Sequence, residues 1–176
     1  MNEFSIDIAD RQTCLALDEL RLRDAVVRVL TEERVQVATI SLALVDDAEI
    51  HRVNREFLGH DYPTDVISFR LDEDEGQESG VMRQERAEAS SDVSNPQPST
   101  LNPHLEGELI VSTETALREA AAHGWSPQDE VLLYVVHGLL HLCGYDDLTD
   151  EARPAMRVRE REVLAGWQLV PTGLEA

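Results

Sequence analysis

A chain of 176 residues is long enough for one domain with a proper core, and its 42% hydrophobic content is that of an ordinary globular protein. No run approaches the ~20 apolar residues of a membrane helix, and the start, MNEFSIDIAD, lacks the basic and apolar regions of a secretory leader, so a cytoplasmic protein is expected. Against 35 Asp and Glu stand 15 basic residues, all arginine, for a net charge of −20; this disfavours nonspecific nucleic-acid binding but leaves room for a local arginine cluster.

Phe4, Ile6 and Ile8 alternate as in a short strand. Leu22, Ala25, Val26, Val29 and Leu30 fall on one helical face. Ile40, Leu42 and Leu44 predict a second strand ending at Asp46 and Asp47, and Ile50, Val53, Asn54 and Phe57 recur at helical spacing. Gly59 and Pro63 bracket a loop, and Val66 to Phe69 reads as a third strand. Residues 72–106 are polar, acidic and rich in Ser and Pro, too poor in apolar surface to offset their ordering entropy. They are expected to form a disordered acidic insertion in a single domain made of 1–71 and 107–176.

Leu109 to Val111 predicts a fourth strand, and a helix from about Glu114 to Ala122 should stop near Gly124. Ser126, Pro127 and Asp129 spell a strong helix start. Val131 to Leu142 is apolar nearly all round, the mark of a buried helix, with Gly144 as its stop. A fifth helix is expected from about Asp150 to Leu164, with Pro154 in or near its first turn. Cys14 and Cys143 make neither a disulfide framework nor a CxxC pair and read as small core residues. His51, His60, His104 and His123 read as solvent-exposed.

The chemistry concentrates in HGLLHLCGYDD, His137 to Asp147. His137 and His141, four apart on a helix, stack on one face and can converge on one ion. Asp147 follows beyond a turn that Gly144 permits. Asp146 and Asp150 are also near, and either can instead cap the next helix; spacing favours Asp147 as the third ligand. Two imidazoles and a carboxylate leave a fourth tetrahedral position open, the pattern of a catalytic rather than a structural zinc. Two imidazoles buried without partners would be costly, and a metal supplies those partners.

This segment resembles the metal motif HGxLHLxGYDH of the bacterial YbeY endoribonuclease family. Three more blocks agree, in order: VDDAEIHRVNREF (Val45 to Phe57), GHDYPTDVISF (Gly59 to Phe69) against GxDxPTDVxSF, and GELIVS (Gly107 to Ser112) against GDIVIS. The resemblance implies an α+β fold, a small mixed four-stranded sheet packed with about five helices, and one zinc ion at the end of the buried helix. It also implies single-strand-specific endoribonuclease activity, maturation of the 3′ end of 16S, small-subunit, rRNA, and partnership with the small ribosomal subunit or its proteins. Two residues depart from the pattern. Asp147 stands where the family has a third histidine, which makes other divalent ions more acceptable. Leu58 stands where the family has an arginine facing the phosphate, removing a guanidinium from a phosphoryl-transfer site. Arg55, about one turn earlier, and Arg70, where the family usually has proline, are candidate replacements; each also reads as an ordinary surface charge. Asp61, Thr64 and Asp65 lie in the matched loop, where they are expected either to line the substrate cleft or to bond their own backbone beside Pro63.

Two rivals remain at this stage. A zinc metalloprotease would need the glutamate of HExxH, and position 138 is glycine. A noncatalytic ribosome-assembly factor would accommodate Leu58, the missing histidine and the acidic surface. The nucleophile, water or a 2′-hydroxyl, is left open.

Overall fold

Strand periodicity divides the apolar side chains between two faces of one sheet, and the helices follow from that division. The computed structural model describes residues 2–71 and 104–171. Its elements are β1 (Glu3–Asp10), α1 (Glu19–Glu32), β2 (Val37–Val45), α2 (Asp47–Val53), β3 (Val66–Arg70), β4 (His104–Ser112), α3 (Thr113–His123), α4 (Pro127–Leu142) and α5 (Arg153–Leu164). A π-helical turn, Asn54–Leu58, extends α2, and a 3-10 turn, Ala165–Trp167, extends α5. The sheet order is β1-β2-β4-β3, with β1, β2 and β4 parallel and β3 antiparallel to β4. This is the expected α+β fold with a mixed four-stranded sheet and five helices. Among the described residues no helix is long and apolar enough to cross a membrane.

On one face Ile40, Leu42 and Leu44 of β2 and Leu105, Leu109 and Val111 of β4 join α1, α4 and α5 in the main core. On the other, Ala43, Val45, Ile67 and Ile110 meet Ile50 and Val53 of α2. Helix α4 is the centre of the first layer. Ser126 and Asp129 form the expected capping box at its start, and Pro127 opens it. It lies close against β4 because two side chains are missing: a Cβ at Gly138 would sit 2.7 Å from Leu109 Cδ2, and one at Gly107 would sit 2.6 Å from Leu142 Cδ1.

Four local expectations need correction. The insertion expected over 72–106 lies outside the described residues except for His104, Leu105 and Glu106, which begin β4. Their partners Val37, Ala38 and Thr39 are remote in sequence, so local polarity could not reveal the pairing. His104 is therefore half-buried, its Nε2 3.0 Å from Thr39 Oγ1, and His123 is half-buried beside Glu130. Cys14 is exposed rather than in the core. The second helix does not run regularly to Phe57. After Val53 it widens, with the Gly59 N–H bonded to the Asn54 carbonyl, five residues back. Buried Asn54 also donates through Nδ2 to the Tyr62 carbonyl, 2.8 Å, which pins the loop that follows.

The two layers are tied at the N-termini of α2 and α3. Asp47 accepts bonds from Ser112 Oγ at 2.6 Å, Thr115 Oγ1 at 2.9 Å and the Arg118 guanidinium at 2.5 Å. Partial burial works against the Asp47 carboxylate, but the bond to Arg118, those to Ser112 and Thr115 and the Arg118 charge outweigh it and hold its pKa below the usual 3.8. A depressed carboxylate contributes stability that is present above its unfolded pKa and lost as pH falls through the folded one. Asp47→Asn is thus expected to cost about 1.5–3 kcal/mol near neutrality, with the gap from wild type closing in acid below pH ~4. Denaturant melts at pH 7 and pH 3 check this; equal stability of the two proteins at pH 7 would show that the network contributes nothing.

Candidate metal centre and cleft

From Glu130 to Leu142 only two residues of α4 escape full burial, and they are His137 and His141. One helical turn apart, they turn their Nε2 atoms to within 3.1 Å of each other. Gly144, at φ 98°, then bends the chain into a conformation that side-chain-bearing residues avoid. The bend returns Asp147 to the imidazoles, Oδ2 3.6 Å from His137 Nε2 and Oδ1 3.6 Å from His141 Nε2. Among the described residues these three make up the group able to hold a metal ion.

The far side of each ring decides what the near side can do. His137 Nδ1 lies 2.9 Å from Glu160 Oε2, and His141 Nδ1 lies 3.0 Å from the Tyr145 carbonyl oxygen. Both partners are acceptors, so each Nδ1 carries the hydrogen and each neutral ring presents a bare Nε2 lone pair. Two lone pairs and a carboxylate therefore converge with no donor between them. Either an added proton or a cation must relieve the repulsion. Burial disfavours the imidazolium at His137, but the bond to Glu160 and the charges of Glu160, Asp147 and Asp65 outweigh it and raise its pKa. Burial and the neighbouring His137 lower that of His141. The spacing suits an ion: a tetrahedron with bonds of about 2.0–2.1 Å has edges of about 3.3–3.4 Å, between the observed 3.1 and 3.6 Å.

The group closes one end of a cleft of about 540 Å³. Its walls include Asn54, Phe57 and Leu58 of the π-helical turn, His60, Tyr62, Thr64 and Asp65 of the loop, and β3 from Val66 to Phe69. Thr64 and Asp65 thus line it, though one Asp65 oxygen is taken by the Val66 N–H at 2.8 Å and Thr64 Oγ1 at 3.0 Å. Thr64 and Asp65 thus combine a place in the cavity wall with local turn bonding. Asp61 is outside the wall, 77% exposed and bonded to His51 Nε2 at 2.8 Å. Leu58 faces the cleft. Arg55 does not line it and approaches Asp61 at 4.0 Å; Arg70 does not line it either and donates to the Leu142 carbonyl, 3.4 Å. Asp146 accepts from the Leu148 N–H, and Asp150 pairs with Arg153 at 2.8 Å, so neither joins the metal group or caps α5.

Glu160 escaped the sequence reading, as did the Tyr145 carbonyl. Glu160 is 5% exposed on α5, and a buried carboxylate 23 residues from His137 has no local signature. Tyr145 is fixed by its hydroxyl, which donates to Glu33 at 3.1 Å. The aromatic wall was also missed. His60 and Tyr62 stack with centroids 5.4 Å apart, and Phe57 meets Phe69 edge-on at 5.8 Å.

The orientation of His137 by Glu160 predicts a measurable dependence. Glu160→Gln keeps the shape but removes the charge behind the ligand, and zinc affinity is expected to fall by about 10–100-fold. Competition with a chromophoric chelator measures this; unchanged affinity would show that Glu160 does not tune the centre.

A family model described as "Endoribonuclease YbeY" matches residues 7–168. A protein of that name from Rhodopirellula baltica is 38% identical over 160 residues, 89% of this chain and 66% of its own, so the chain spans about two thirds of that relative. Another, from Exiguobacterium sp., is 34% identical over 162 residues, 91% of this chain and 93% of its own. The solution structure of TM1509 from Thermotoga maritima superposes with a TM-score of 0.53 over 97% of this chain and 99% of that one; at 21% identity it speaks for the fold alone. With the family model matched over nearly its whole length, the chain belongs to the endoribonuclease YbeY family.

Proposed function

We propose that this chain is a zinc-dependent endoribonuclease that cuts single-stranded RNA, matures the 3′ end of small-subunit rRNA and works with the small ribosomal subunit in the cytoplasm. The observation that carries the reading is the convergence of two bare imidazole nitrogens and a carboxylate at the end of an open cleft. Family membership and the names of the relatives support the reaction class.

The chain's own groups divide the work. His137 and His141 would hold zinc through Nε2 and Asp147 through its carboxylate, with Glu160 and the Tyr145 carbonyl keeping both rings in the required tautomer. When bound, the ion supplies Lewis acidity to phosphoryl oxygens and to water. The aromatic wall of Phe57, His60 and Tyr62 offers faces on which unpaired bases stack, a recognition mode that suits single strands and tolerates sequence. Phe57 and Tyr62 are 52% and 54% exposed, which leaves part of each ring open to a ligand beside its aromatic neighbour.

Packing bears on the protease rival. A Cβ at position 138 would sit 2.7 Å from Leu109 Cδ2 and 3.1 Å from Val66 Cγ2, so a glutamate base there would require those side chains to shift. One observation favours binding without cleavage: among the described residues no arginine lines the cleft, and Leu58 occupies its wall.

The two readings separate in a cleavage assay on a precursor small-subunit rRNA fragment. Zinc-loaded protein is expected to cut, and both His141→Ala and chelator-treated protein are expected to fail. Intact RNA after incubation with protein holding one equivalent of zinc would transfer the proposal to the noncatalytic assembly factor. Tyr62→Ala should weaken single-strand binding by about 1–3 kcal/mol if a base stacks there, measured by fluorescence anisotropy; wild-type affinity would remove Tyr62 from the binding surface.

A further inference from the structure

The metal group has a second side. A smaller cavity of about 180 Å³ shares Asp65, His137 and Asp147 with the main cleft and continues between Tyr134 of α4, His123 of α3 and Arg157 of α5. It is below the ~300 Å³ at which pockets begin to suit drug-sized ligands, and is the size for a phosphate group rather than a nucleoside.

Arg157 is the cation in its wall. The guanidinium has no hydrogen bond or ion pair to any described residue. Most of the described arginines differ from it in this. Arg159, two residues on, is tied to Glu32, Glu33 and Glu162; Arg153 is tied to Asp150 and the Asp147 carbonyl; Arg118 is tied to Asp47. Arg34 is also unpaired, but it is exposed at the turn after α1. The acids of the cavity are already engaged. Glu160 is bonded to His137 Nδ1, one Asp65 oxygen to the Val66 N–H and Thr64, and Asp147 faces both imidazoles. One layer deeper, the Glu130 carboxylate accepts from His123 Nδ1 at 2.7 Å and is bonded to Tyr134. A divalent ion held by His137, His141 and Asp147 would, with Arg157, offset the three acids of the wall.

Charge balance gives this cation its importance. RNA affinity rests largely on neutralised phosphates, yet the chain has no lysine and, among the described residues, no arginine lines its main cleft. The two cavities adjoin at Asp65, His137 and Asp147, so a strand stacked on the aromatic wall and crossing the metal group would have the side cavity ahead of it. We propose that Arg157 binds the strand phosphate next to the scissile one there, making the cavity a phosphate subsite and Arg157 the positioning cation of this enzyme. This rests on the endoribonuclease reading for its substrate.

The test uses full-length, zinc-loaded protein and a single-stranded oligoribonucleotide spanning the rRNA 3′ junction. Arg157→Ala, Arg157→Lys and Arg161→Ala are compared with wild type for half-saturation across a salt series. Arg161 sits on the same helix and donates only to the Arg157 carbonyl among described residues. If wild type cleaves, single-turnover rates give half-saturation. If it does not, the same oligonucleotide is an inert ligand and anisotropy reads its binding, so failure of the cleavage reading is seen separately. Arg157→Ala is expected to weaken half-saturation by about tenfold and to flatten the log–log salt slope by about 0.7, the contribution of one single-strand phosphate contact. The maximal rate, zinc content and melting temperature should stay near wild type, Arg157→Lys should restore the slope, and Arg161→Ala should change neither quantity. A slope and half-saturation of Arg157→Ala equal to wild type would overturn the proposal, as would an equal loss in Arg161→Ala or no RNA binding by wild type.

Discussion

Two imidazoles on a helix that is otherwise apolar can be tolerated only if all four ring nitrogens are answered. The Nδ1 pair is answered within the chain, by Glu160 and by the Tyr145 carbonyl. The Nε2 pair is not, and it faces a carboxylate across 3.6 Å. That single electrostatic conflict, which only a proton or a cation removes, organises what surrounds it. Helix α5 must dock so that a buried glutamate reaches α4. The loop after α4 must turn left-handed at Gly144, so that one backbone carbonyl and one carboxylate arrive on opposite sides of His141. Folding alone gains little from such an arrangement, since buried polar groups are costly even when paired.

The approach of α4 to the sheet is the mechanical condition for this. Gly107 and Gly138 let the helix lie against β4, and a Cβ at either position would meet a buried leucine. Seated there, α4 delivers its two histidines to the rim where β3 ends its antiparallel pairing with β4. The widened turn after α2 supplies the opposite wall. Its extra residue turns Phe57 out of the helical core pattern and over Phe69, so an apolar residue becomes part of the cleft wall.

Charge is distributed with the same economy. A net charge of −20 works against polyanions at long range, and guanidinium groups such as those of Arg118 and Arg159 are consumed by acids of the same chain. On the proposed reading, recognition of a nucleic acid falls to stacking on exposed aromatic rings and to cations left unpaired among the described residues. On that reading position matters more than number, because Arg157 lies in the wall of a cavity that borders the metal group.

Much of this was legible in the residues. Strand alternation, the Ser126–Asp129 cap, the His137–His141 spacing and the glycine after the buried helix are local patterns, and local backbone physics turns each into the structure observed. The four sequence blocks carried the family because they are contiguous. What the tertiary structure alone decided is non-local. Leu105 became a strand residue because β2 offered a parallel edge; Glu160 became the partner of His137 because α5 packs on α4; Arg55 and Arg70 were excluded from the cleft wall by the direction of their elements; and Arg157 entered a cavity wall that no one segment forms. A sequence pattern specifies which groups are close along the chain, whereas lone pairs, charges and cavities meet through space, and only the packing of the sheet against its helices brings them together.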